Sequence, residues 1–168
     1  MRNIEIKARL KSISSAEPIA SGLAGSGPHA RLLQVDTYFN VPDGRFKLRE
    51  EGGIGELIYY RRPDAPGPSR CDYVIVSIGS PAEVKGVLEA ALGVRCVVRK
   101  HRTVYLYKNV RIHLDEVEGL GWFLEFEAVM PEGSPDGDGE SLVRGLMRAF
   151  GLERDDLVDC SYCDLLEP

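Results

Sequence analysis

Segment after segment of this chain sets charged side chains at every second position. The first, Asn3-Ile4-Glu5-Ile6-Lys7, puts Asn, Glu and Lys on one side and Ile on the other, and Arg9 continues the polar row. Arg45, Lys47 and Arg49 alternate with Phe46 and Leu48. Arg111, His113 and Asp115 alternate with Ile112 and Leu114, and Glu125 and Glu127 flank Phe126. Lys100 and Arg102 keep the same spacing, and the segment 56–61 ends in Arg61. A period of two belongs to a β-strand, whose successive side chains point to opposite faces. The pattern therefore commits most of the chain to strands with one polar and one apolar face.

Turn residues divide these segments. Pro42-Asp43-Gly44, Gly52-Gly53 and the proline-rich stretch 63–69 separate strands expected at 32–40, 45–51, 56–62 and 71–78. Four further strands are expected at 94–100, 102–108, 110–117 and 121–130, after the first at 2–10. Helices are expected at 12–24, at 81–92 with Pro81 in the first turn, and at 140–150, with a last helical turn from Asp155. Consecutive strands joined by short turns pair antiparallel. Eight or nine alternating strands suit a closed or nearly closed barrel. The expected fold is mainly β (α+β), an eight-stranded antiparallel barrel with flanking helices in one domain over 1–168.

A solvated outer face explains one charged strand, but the set is segregated. The central strands carry mainly Arg and Lys, and the first and last carry Glu and Asp. Converging cations call for a polyanion. Carboxylates beside them call for a hard divalent cation, Mg²⁺ or Mn²⁺. A polyphosphate with its metal satisfies both.

Composition excludes several other classes. Hydrophobic residues make up 43% and charged residues 28%, the range of a folded globular chain. The net charge of −5 argues against nucleic acid as a partner. No apolar run approaches the roughly 20 residues of a membrane span. The first apolar segment carries Glu5 and Lys7, unlike a secretory leader, so a cytoplasmic location is expected. Cys160-Ser-Tyr-Cys163 lacks a second ligand pair, and the four cysteines are expected as reduced thiols.

These residues resemble the CYTH domain family, the triphosphate tunnel metalloenzymes. That family includes class IV adenylyl cyclases, thiamine triphosphatases and inorganic triphosphatases. Asn3-x-Glu5-x-Lys7 corresponds to its N-terminal ExExK, with Asn3 in place of the first Glu. QVDTYFN at 34–40, KLR at 47–49, Arg61 before Arg62-Pro63, KHR at 100–102 and HLDEVEGLGWFLEFE at 113–127 are similar to further elements of the family. The resemblance implies a barrel with a polar tunnel, with Ile4 and Ile6 packed outward under helices. It implies that Lys7, Lys47, Arg49, Arg61, Lys100 and Arg102 bind a small-molecule triphosphate. Glu5, Glu125, Glu127 and Asp115 would hold Mg²⁺ or Mn²⁺, with Lys7, Glu5 and Asp115 at the centre of the chemistry and Lys7 positioning the attacking water. Pairing of chains as a homodimer is compatible with it.

Three functions follow from the resemblance. Metal-dependent hydrolysis of inorganic triphosphate, thiamine triphosphate or a nucleoside triphosphate ranks ahead of cyclisation of ATP to cyclic AMP and pyrophosphate, because no sequence feature specifies adenine. Asn3 motivates the third, a module that binds a polyphosphate or nucleotide without turnover. His113 shares the parity of Asp115 and is expected to be a satisfied barrel-lining histidine. Tyr38 shares the parity of Gln34 and Asp36 and so faces the tunnel, whereas Tyr59, Tyr60 and Trp122 are expected in packing. His29 and His101 are expected at the surface.

Overall fold

The computed structural model describes residues 1–167. The alternating segments become eight strands: β1 (Arg2–Leu10), β2 (Ala30–Phe39), β3 (Arg45–Glu51), β4 (Ile54–Arg61), β5 (Ser69–Ile78), β6 (Val94–Tyr107), β7 (Val110–Val117) and β8 (Gly121–Val129). Each pairs antiparallel with two neighbours in the order β1-β5-β4-β3-β2-β6-β7-β8, and β8 returns to β1. Closure leaves no unpaired edge. Gly52 and Gly53 both take positive φ, as a two-residue hairpin between β3 and β4 requires. The two strands expected around residue 100 are one fourteen-residue strand, β6, because no turn residue separates them.

The main apolar core lies outside the barrel wall. Ile4, Ile6 and Ala8 of β1, Ile112 and Leu114 of β7, and Leu124, Phe126 and Ala128 of β8 form its floor. Helix α1 (Ile13–Ala24) covers it with Ala16 and Ala20, and α3 (Asp136–Ala149) with Val143 and Leu146. Gly139 brings α3 close to β1: a Cβ there would lie 2.7 Å from Ile4 Cγ1. The polar residues of the same strands are thereby turned inward. No helix among the described residues is long and apolar enough to cross a membrane.

The other two helices are α2 (Pro81–Leu92) and α4 (Tyr162–Leu166). The sequence reading missed α4 because five residues show no helical period. Its signal was Ser161-x-x-Asp164, a reciprocal capping box. That motif overlaps the Cys160-Ser-Tyr-Cys163 pair considered above for metal binding. The expectation of four reduced thiols is corrected: Cys96 of β6 is disulfide-bonded to Cys163 of α4, and Cys71 and Cys160 are free. At this end the barrel interior turns apolar, where Val98, Val117 and Phe123 meet Tyr162 and Cys163. The C-terminal segment thus plugs one end of the barrel.

Candidate functional site

The barrel encloses a cavity of about 450 Å³ lined by Glu5 and Lys7 of β1, Lys47 and Arg49 of β3, Lys100 and Arg102 of β6, His113 of β7, and Glu125 and Glu127 of β8, among others. Register brings them together. Lys7 stands opposite Glu125, Glu5 opposite Glu127, His113 opposite Glu125 and Asp36 opposite Arg49.

Behind the cationic wall sits Asp36, only 1% exposed. It accepts from Lys47 Nζ at 2.8 Å, from Arg49 Nε and Nη2 at 2.8 and 2.9 Å, and from Lys100 Nζ at 3.4 Å. Burial alone would raise its pKa, but Arg49, Lys100 and Lys47 outweigh burial and hold the carboxyl well below its ordinary range. One negative charge therefore answers three positive ones. Removal from water, with Arg102 nearby, lowers Lys100 to about 7 despite Asp36.

Asp115 plays the same part for Arg102. It is 0% exposed and accepts from Arg102 Nε at 2.7 Å and Nη2 at 2.5 Å, and from the Tyr162 hydroxyl at 3.0 Å. Arg102 also donates to Glu125 Oε2 at 2.5 Å. The Tyr162 ring lies under Lys7, whose Nζ is 3.9 Å from its centroid, and Lys7 donates to the Cys160 carbonyl at 3.1 Å.

The acidic wall is formed by Glu5, Glu125 and Glu127. Burial, then the neighbouring Glu127, raises Glu5 to about 7 against the pull of Arg62, which donates to Glu5 Oε1 at 3.1 Å. Glu125 is pushed up by burial but held well below its ordinary value by Arg102 and Lys7. His113, Glu125 and Glu127 each present one donor atom within 4.8 Å of the others. His113 Nδ1 is buried and has no hydrogen-bond partner. Two carboxylates and an uncommitted ring nitrogen around one point are a donor set that fits a divalent cation. Asn3 brings no charge to this wall, and its carbonyl oxygen accepts from the Tyr73 hydroxyl at 3.2 Å.

The structure gathers Glu5, Lys7, Lys47, Arg49, Lys100, Arg102, Glu125 and Glu127 around the cavity. Arg61, Tyr60, Asp115 and His113 are placed otherwise than expected. Arg61 points outward: its side chain is 64% exposed and pairs with Asp43. Its neighbour Arg62, 7% exposed, lines the cavity instead. The reason is parity. Arg49 stands opposite Glu56 and Lys47 opposite Ile58, so the inward row of β4 is even-numbered and leads through Tyr60 to Arg62. That row was readable from Glu56, and it also brings Tyr60, expected only in packing, into the lining. Asp115 lies behind the lining, with its oxygens on Arg102 and Tyr162 rather than open to a metal. His113 is not the satisfied histidine expected. Tyr162, far beyond the last motif weighed for the site at 113–127 apart from the cysteine pair, had no signal as a cavity residue.

Comparison with known proteins agrees with this geometry. The family model for the CYTH domain matches residues 1–154. A Methanocaldococcus jannaschii protein named "Putative adenylate cyclase MJ0240" is 26% identical over 145 residues, covering 80% of this chain and 82% of that one. The structure of the PH1012 protein from Pyrococcus horikoshii superposes with a TM-score of 0.87 at 24% identity, covering 97% of this chain and 98% of the other. An X-ray structure from Vibrio parahaemolyticus described as a "putative adenylate cyclase" gives 0.78 at 20% identity, covering 99% and 98%. At these identities the two structures speak for the fold.

Proposed function

The chain belongs to the CYTH domain family and carries its triphosphate tunnel fold, and from that premise we propose that it is a metal-dependent hydrolase of a small-molecule triphosphate. The observation that carries the reading is the convergence of Lys47, Arg49 and Lys100 on the single carboxylate of Asp36. The surplus positive charge faces the cavity, across from Glu5, Glu125 and Glu127. A chain of phosphates neutralises it on one side, and a divalent cation neutralises the carboxylates on the other.

In this reading Arg49, Lys47, Lys100, Arg102 and Arg62 hold the phosphate oxygens. Bidentate support from Asp36 and Asp115 fixes the guanidinium planes of Arg49 and Arg102, so they meet the developing charge already oriented. Glu125 and Glu127, with Glu5 beside them, would hold Mg²⁺ or Mn²⁺, which would supply charge screening for the phosphates and a lowered pKa for water. Lys7, fixed between Glu125, the Cys160 carbonyl and the Tyr162 ring, orients the terminal phosphate and the attacking water. The new bond joins water oxygen to the terminal phosphorus, and the bond to the bridging oxygen breaks. Orthophosphate leaves, the diphosphate compound remains, and the proton of water passes to solvent.

The names of similar proteins favour a second reading, attack of a ribose hydroxyl on the α-phosphorus of ATP with loss of pyrophosphate. One assay separates the two. The protein is incubated with Mg²⁺ or Mn²⁺ and, separately, inorganic triphosphate, thiamine triphosphate and ATP, and all products are resolved. Orthophosphate is expected. Cyclic AMP and pyrophosphate from ATP would replace the hydrolase reading with a cyclase. Tight binding with no product would make the chain a polyphosphate-binding module.

Lys100 gives a pH prediction. Its free-state value of about 7 means the ammonium is mostly discharged by pH 8, and a bound polyanion draws the proton back. Triphosphate affinity should therefore fall with rising pH above 7, by roughly tenfold per pH unit at most for one linked proton. Calorimetry on Lys100→Arg, charged throughout, should show a shallower fall between pH 7.5 and 9. Identical slopes in both proteins would remove Lys100 from the phosphate site.

A further inference from the structure

We propose that His113 is a nitrogen ligand of the metal held by Glu125 and Glu127, and that this makes the site select a first-row transition dication such as Mn²⁺ over Mg²⁺. The inference rests on the metal-dependent reading above and deepens it by naming a ligand and a metal class.

The residues are set for this by register. His113 on β7 stands directly opposite Glu125 on β8, and Glu127 is the next inward residue of β8. His113 Nδ1 lies 3.7 Å from Glu125 Oε2 and 3.7 Å from Glu127 Oε1. Those separations are too long for hydrogen bonds. They match two donors sharing one ion, since donors roughly 2.1 Å from a common centre lie about 3.0 to 4.2 Å apart. The side chain is only 5% exposed, and its Nδ1 has no hydrogen-bond partner among the protein atoms. A buried ring nitrogen aimed between two carboxylates without bonding either is costly unless something sits between them.

The carboxylates keep capacity for that ion. Arg111 Nη2 holds Glu127 Oε2 at 2.9 Å and leaves Oε1 toward His113. Arg102 and Lys7 hold the two oxygens of Glu125, at 2.5 and 3.5 Å, which fixes its plane while each oxygen retains a further lone pair. An all-oxygen site suits Mg²⁺. Replacing one oxygen donor by imidazole favours the transition metals, whose affinities for nitrogen rise along the first row.

The test uses the full chain without nucleotide. Mn²⁺ and Mg²⁺ binding are measured separately by calorimetry, and the Mn²⁺-loaded protein is examined by pulsed electron paramagnetic resonance. Nitrogen coupling to Mn²⁺ is expected, changing when histidine is labelled with ¹⁵N. In His113→Gln the coupling should vanish and Mn²⁺ affinity fall by about 10- to 100-fold, with Mg²⁺ affinity changed less than about threefold. The labelled wild-type spectrum decides the point even if the variant folds poorly. Bound Mn²⁺ without nitrogen coupling, lost on Glu125→Gln, would overturn the histidine ligand and leave the metal site standing. If neither metal binds the wild-type protein, alone or with inorganic triphosphate present, the site reading itself is overturned.

Discussion

Asp36→Ala is expected to destabilise the free protein by about 3–5 kcal/mol, the cost of stranding buried charge whose partner has been removed. In a chain of this size that corresponds to a fall in Tm of roughly 10 °C or more. The reason is specific to the arrangement. Lys47, Arg49 and Lys100 share this one carboxylate; Lys47 and Lys100 are buried and the Arg49 side chain is only 15% exposed. The substitution also tests function. Inorganic triphosphate supplies the missing negative charge, so it should raise the Tm of the variant more than that of the wild-type protein, provided it still binds. A ligand present at 100 times its Kd contributes about 2.7 kcal/mol. Equal ligand shifts in both proteins would show that the three cations do not face the polyanion. The sign of the pH dependence follows too. Asp36 titrates below its unfolded value, so its contribution is complete above the unfolded carboxylate pKa and is lost as pH falls through the lower folded one.

Glu125→Gln is expected to reduce metal-dependent turnover by roughly 10²–10³-fold or more, the scale of removing one electrostatic contact at the reacting centre. Glutamine keeps the shape and an oxygen for Arg102, so the wall stays intact while the charge is lost. Glu125 is the best-placed of the acidic residues for this comparison. It stands opposite Lys7 on one side and His113 on the other, and both Arg102 and Lys7 hold it ionised. Without metal, triphosphate affinity should be preserved or improved, because an anion has been removed from a polyanion site. Measuring turnover with Mn²⁺ and binding in chelator on the same preparation separates the two effects. Unchanged turnover would take Glu125 out of the metal site. A parallel loss of chelator-insensitive binding would mean that the substitution had disturbed Arg102 instead.

Much of the architecture was legible because alternation is a local property of the backbone. Once Glu5, Lys7, Lys47, Arg49, Lys100, Arg102, Glu125 and Glu127 were assigned to one face of their strands, closure of the barrel had to bring them together. The outward packing of Ile4 and Ile6 followed from the same parity. Two β-segments merged into β6 and α4 was missed, because a strand break and a five-residue helix both depend on neighbours more than on period. Alternation alone does not separate the adjacent Arg61 and Arg62. Both are cationic at the end of one strand, and only the pairing of β4 with β3 decides which enters the cavity.

By itself the sequence determined the strand period, the face that most of the charges share and the segregation of cations from carboxylates. These are set residue by residue, through steric preference and the pleat. The tertiary structure alone decided how the charges are shared. Asp36 gathers three cations from two other strands, and the oxygens of Asp115 are held by Arg102 and Tyr162. Tyr162 arrives from a segment past the last strand, and the His113 ring nitrogen is left facing two carboxylates. Such pairings depend on register accumulated around a closed ring of eight strands and on where the C-terminal segment returns. No local pattern encodes either, because each partner's position is fixed by residues far from it in the chain.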